Sequence, residues 1–186
     1  MHALDSPADT FVIFGCAHLS ALVVLILVGA WVVATGRRRG ADGTWVRRAC
    51  RVLGSIQILN FLGWHAWALS RGEWDVRECL PLQLCDVAVF VSALALFRPS
   101  PLAFELTYLW CLGGTFQGLI PPNILEPFPQ YRFWHYFLLH GGLVLNALFL
   151  ALCCGMRPRR GTLLRVFVAS NAMAVVAAAA NGLLDA

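Results

Sequence analysis

Six apolar runs, each close to the length that crosses a bilayer and each bounded by arginine, proline or acidic residues, constrain this chain more than any other feature. About 20 apolar residues span the hydrocarbon core as a helix, because a helix satisfies its own backbone groups where there is no water. The runs cover residues 11–35, 49–70, 80–97, about 102–120, 133–154 and about 163–184. They predict an all-α fold, a polytopic transmembrane helical bundle of six spans, as a single domain over 1–186. Composition agrees: 59% of residues are hydrophobic, 13% are charged, and mean hydropathy is +0.70.

The charges predict orientation rather than a ligand. All 14 basic residues are arginine, and they sit between the apolar runs, so the net charge of +4 does not imply a nucleic-acid partner. The first, third and fifth connections hold Arg37, Arg38, Arg39, Arg47, Arg48 and Arg51, then Arg98, then Arg157, Arg159, Arg160 and Arg165. The second and fourth hold only Arg71, Arg77 and Arg132. The positive-inside rule then predicts a multi-pass protein of the cell membrane with cytoplasmic odd connections and both termini outside. Asp5, Asp9, Glu73, Asp75, Glu78, Glu126 and Asp185 all fall on the outer side. The first ten residues lack a basic stretch, so the first helix is expected to act as its own insertion signal. The seven cysteines include no CxxC pair and suggest no disulfide framework.

Polar residues inside apolar runs are costly, and therefore informative. Residues 80–90 open the third run with Pro81 fitting a first helical turn and with Cys85 and Asp86 side by side. With the outer ends aligned, Cys85 lies roughly 8 Å down its helix, His65 roughly 8 Å and His140 roughly 10 Å, at 1.5 Å per residue. Gln117 is shallower, and Glu105 belongs to the opposite, cytoplasmic end. A thiol and an imidazole in one layer suit nucleophilic acyl chemistry, in which the imidazole takes the thiol proton. Each residue also has a plainer reading. Asn60, Trp64 and Trp67 share one helix face and suit interhelical packing and an aromatic belt. Gly113-Gly114 suit close helix approach, and His18 suits an interfacial position. Asp86 points about 100° away from Cys85 on a helix, so packing or orientation fits it better than chemistry.

Four stretches in order, Leu80-Pro-Leu-Gln-Leu-Cys-Asp-Val-Ala, Phe104-Glu-Leu-Thr-Tyr-Leu-Trp, Leu112-Gly-Gly-Thr-Phe-Gln-Gly-Leu-Ile-Pro-Pro-Asn and Phe137-Leu-Leu-His-Gly, resemble the YwaF-like family of integral membrane proteins. That family has eukaryotic relatives that act as transmembrane acyltransferases on ether phospholipids. The resemblance implies Cys85 as the acyl-accepting nucleophile and His140 as its base, with no cofactor or metal. It implies membrane lipids as partners and a phospholipid or lysophospholipid as substrate. Glu105 and Tyr108 follow as supporting residues, and Asp86, Gln117 and Asn123 join them as second-layer or substrate-binding candidates, as does His65, which rests on its depth alone and not on the resemblance. Members of that family usually carry a Tyr- and Pro-rich stretch and a further helix after the sixth span, whereas this sequence stops at Asn181–Ala186.

Three other readings stay open on the residues alone. A small transporter or receptor would use Asp86, Glu105 and the histidines in a proton or solute path. A metal or haem site would draw on His65, Cys85, His135 and His140. A packing or assembly protein would use none of them chemically.

Overall fold

The computed structural model describes residues 10–184, and seven α-helices and no strand occur among them. They are α1 (Cys16–Arg39), α2 (Thr44–Ser70), α3 (Val76–Cys79), α4 (Leu84–Phe97), α5 (Pro101–Leu109), α6 (Tyr131–Leu152) and α7 (Thr162–Leu184). A π-helical turn, Trp110–Gly114, and a 3-10 turn, Thr115–Leu119, continue α5.

The all-α class holds, but the expectation of six spans does not. Among the described residues only α1, α6 and α7 are long and apolar enough to cross a membrane. The other three predicted spans fail for separate reasons. The 27 residues of α2 are long enough, but Gln57, Asn60, Trp64, His65 and Trp67 dilute its apolar character. With 14 residues, α4 reaches only about 21 Å, short of the roughly 30 Å hydrocarbon core. The run expected at 102–120 is broken, since α5 ends after nine residues and the π and 3-10 turns replace regular helix. Pro81 also lies outside a helix. Gln83 is the N-cap of α4, and Leu80 is extended, as the residue before a proline prefers to be.

α6 is the hub, packing against α1, α2, α4, α5 and the 3-10 turn. Close approach to it comes from Gly141 and Gly142. A Cβ on Gly141 would meet the Leu25 side chain of α1, and one on Gly142 would overlap the Gln57 amide of α2. Of the expected pair Gly113-Gly114, Gly113 has open space around it, whereas a Cβ on Gly114 would come within 3.2 Å of the Leu84 side chain of α4. The core forms one layer around Phe104, Phe149 and Leu150, and a second around Val89, Leu143 and Trp110. A third layer holds Leu119, Phe133 and Phe137.

The outer helices are packed on one side only. α1 leaves Val23, Val24, Ile26, Leu27 and Trp31 exposed, and α7 leaves Leu163, Leu164, Phe167, Val168, Val175 and Val176 exposed. Such apolar surface suits lipid contact, and the protein is a multi-pass membrane protein. The expected outside position of the two termini rests partly on Asp5, Asp9 and Asp185, which lie outside the described residues.

Two ends can be told apart. One holds the C-terminus of α1, the N-terminus of α2 and the Arg157–Arg165 segment, where Glu105 is the focal charge. Glu105 is completely buried. It accepts bonds from the Arg159 backbone N–H at 3.3 Å, Arg159 Nε at 2.8 Å, Arg159 Nη2 at 3.3 Å, and Arg165 Nε and Nη2 at 2.8 Å each. The other end holds a cavity.

Candidate functional site

The cavity has a volume of about 950 Å³ and lies between the C-terminus of α2, α3, the N-termini of α4 and α6, and the C-terminal part of α7. Its deeper wall carries Cys85, Asp86, His65, His135, Tyr136 and His140. Its mouth is charged, with Glu73, Arg77, Glu78, Glu126 and Arg132. Asn123 also lines it. Of the residues singled out in the sequence, Cys85, His140, His65, Asp86 and Asn123 therefore meet in one space. Glu105, Tyr108 and Gln117 do not. Glu105 is held by two arginines at the far end, Tyr108 packs beside Phe104, and exposed Gln117 bonds back to the Gly113 carbonyl at 2.8 Å. A proton or solute path through Glu105 would have to bypass this cavity.

Local structure explains the position of the thiol. Pro81 and the extended Leu80 delay the start of α4, so Cys85 falls at its second residue. A helix N-terminus presents unpaired N–H groups and the positive end of the peptide dipoles. The break in α5 then supplies a neighbour. The π turn shifts the chain so that the buried hydroxyl of Thr115 lies 3.8 Å from Cys85 Sγ. π-helical turns within helices are frequent at functional sites.

His140 is held by three contacts. Its Nδ1 donates to the Tyr136 carbonyl one turn earlier at 2.9 Å, which leaves Nε2 as a free acceptor. Its ring stacks on that of Tyr136 with centroids 4.0 Å apart. Its edge lies against Gly118, where a Cβ would come within 3.0 Å of Cδ2 and 3.3 Å of Nε2. Tyr136 is fixed in turn. Its hydroxyl donates to the Gly118 carbonyl at 2.7 Å and accepts from the Asn123 N–H at 3.3 Å.

Thr115 and Gly118 lie behind the cavity wall, and each backs one of its residues. Three residues apart in a 3-10 turn, they share a face and are about 6 Å apart along its axis. One touches the thiol and the other touches the imidazole. Cys85 and His140 are not hydrogen-bonded to each other, and catalytic bonds of this type commonly tighten only around substrate.

The other histidines have separate partners. His65 Nδ1 accepts from Trp74 Nε1 at 3.0 Å, so its Nε2 carries the proton. His135 Nδ1 donates to Asn60 Oδ1 at 3.3 Å, and its ring stacks on Trp64 at 5.1 Å. Arg132 covers the other ring environment of Trp64, 4.9 Å from its centroid, and pairs with Glu126 at 2.5 Å. His18, expected near an interface, is completely buried. It accepts from the Phe14 N–H at 3.0 Å and donates to the Leu119 carbonyl at 2.8 Å, so it ties α1 to the 3-10 turn. For the metal reading, no group of three His, Cys, Asp or Glu is arranged to share an ion among the described residues.

Thr115 and Tyr136 escaped the sequence reading. Tyr136 was accessible to it, because it precedes His140 by one helical turn and so shares its face. Thr115 was not, because nothing in its local sequence marks the change from α to π to 3-10 geometry.

A helical membrane protein with a polar, half-enclosed cavity near one end is the class that fold and site define. Residues 13–186 match the model of the TMEM164 family, and the chain belongs to that family. No curated protein and no solved structure matches it. Membership carries the integral-membrane class and not a reaction.

Proposed function

We propose that the protein is a lipid acyltransferase or transacylase, as its resemblance to YwaF-like proteins implies, with Cys85 as nucleophile and His140 as base. The observation that carries this reading is the shared 3-10 turn behind the cavity: Thr115 contacts the Cys85 sulfur, and Gly118 backs the ring edge that bears the free Nε2 of His140. His140 Nε2 takes the Cys85 proton, and the sulfur attacks the carbonyl carbon of a phospholipid ester. The tetrahedral intermediate collapses with cleavage of the C–O bond. The imidazolium returns its proton to the departing lysolipid oxygen, leaving a thioester on Cys85. In the second half, His140 takes the proton of a lysolipid hydroxyl, which attacks the thioester and frees the thiol. The Thr115 hydroxyl is suited to donate to the sulfur as it gains charge. Nothing in these steps requires a cofactor.

The cavity supports a lipid as substrate, since a charged mouth leads to an interior walled in part by the membrane-length helices α6 and α7. The arginine-rich end is opposite, so the positive-inside rule supports an extracytoplasmic cavity. In a purified, phospholipid-supplied assay, Cys85→Ala is expected to reduce acyl transfer to lysophospholipid to the level without protein. A hydroxylamine-labile acyl group should be found on Cys85 of the unaltered protein. Full transfer by Cys85→Ala would overturn the proposal.

A further inference from the structure

A second thiol cluster lies at the opposite end of the molecule, outside the cavity. Cys50, six residues into α2, and Cys154, just beyond α6, have sulfurs 3.6 Å apart. They are 104 residues apart in sequence. Cys50 is buried, whereas Cys154 is half-exposed. The adjacent Cys153 is otherwise engaged, with its thiol directed to the Val33 carbonyl at 3.4 Å. The two partners also differ in freedom. Cys50 is fixed in the middle of a helical turn, while Cys154 sits in the turn that ends α6, where the chain has left regular helix. Movement of that turn is what would bring the sulfurs from 3.6 Å to bonding distance.

We propose that Cys50 and Cys154 form a reversible oxidative staple, with a hydroperoxide as oxidant. The Cys154 thiol, the more exposed of the two, attacks the peroxide oxygen, breaking the O–O bond and giving a sulfenic acid and water. The Cys50 thiol then attacks the sulfenic sulfur and expels a second water. Overall, two thiols and one hydrogen peroxide give one disulfide and two waters. A dithiol reductant restores both thiols by exchange. The bond joins α2 to the segment that leads, five residues later, to Arg159 and its pair with Glu105. It would thus fasten the entry to α7, the helix whose far part borders the cavity.

The test uses the full chain in detergent micelles, treated with hydrogen peroxide and then alkylated with iodoacetamide for peptide mass spectrometry. Exposed Cys16 serves as an internal measure of oxidation. Cys50 and Cys154 should lose alkylation together and appear as one cross-linked peptide pair, two hydrogens lighter than its parts. Dithiothreitol should restore both. In Cys50→Ser, Cys154 should instead be trapped as a sulfenic-acid adduct by dimedone. The proposal is overturned if both cysteines alkylate as in untreated protein once Cys16 is oxidised. A Cys153–Cys154 bond in place of the cross-link would overturn it equally.

Discussion

Replacing Glu105 by alanine tests whether the arginine end holds the bundle together. The carboxylate has no exposure to solvent and receives all its bonds from Arg159 and Arg165, whose side chains are 51% and 36% exposed. Removing one partner of a buried ion pair costs about 3–5 kcal/mol when the other stays buried. Here the arginines can turn into water, so no buried charge is left behind and the loss is that of the hydrogen bonds to a charged group, about 1.5–3 kcal/mol. A chain of this size loses about 2–4 °C of melting temperature per kcal/mol, so Glu105→Ala should melt about 3–12 °C lower. Glu105→Gln preserves the volume and one acceptor oxygen, and should lose about half as much. Thermal unfolding of the purified protein in micelles, followed by tryptophan fluorescence, measures both. Hydrogen exchange should quicken first at the start of α7, since that segment loses its anchor. A Glu105→Ala protein that melts within about 2 °C of the original, a loss of under 1 kcal/mol, would refute the assignment.

Two further outcomes follow from other contacts. Gly142→Ala places a methyl group where the Gln57 amide now donates to the Leu139 carbonyl, and the loss of that buried bond should cost about 1–3 kcal/mol in the same melting assay. Tyr136→Phe removes the tether to Gly118 and Asn123 but keeps the ring under His140, so it should lower stability by about 1 kcal/mol. If His140 is the base, acyl transfer by that variant should fall more through kcat than through KM, as steady-state kinetics would resolve.

What the sequence made legible was decided by how far each signal reaches along the chain. Apolar runs are local, and they identified the helical membrane class. They also overcounted spans, because hydropathy averages over a break that backbone geometry does not. The π and 3-10 turns at 110–119 are as apolar as a straight helix, and the polar residues of α2 are spread through a run that still reads as hydrophobic. Alignment of helix ends was enough to bring Cys85, His65 and His140 to similar depth, and the fold draws all three to one cavity. Depth has no angular content, so Tyr136 and Thr115 were missed although they touch the imidazole and the thiol. The partners of Glu105 lie 54 and 60 residues downstream, and no periodicity relates them.

That separation has a consequence for how the chain is made. When α5 leaves the ribosome, the carboxylate of Glu105 has neither arginine to meet. At roughly 5–20 residues per second, several seconds pass before both have been synthesised. Until then, α5 has to keep Glu105 in water or hold it protonated, and its final seat beside α4 stays open. Only the emergence of Arg159 and Arg165 neutralises it. The closing act of assembly is thus written into the approach to α7 and its first turn, and a nascent chain halted before residue 159 would carry an unpaired charge for the cell's quality-control machinery to find.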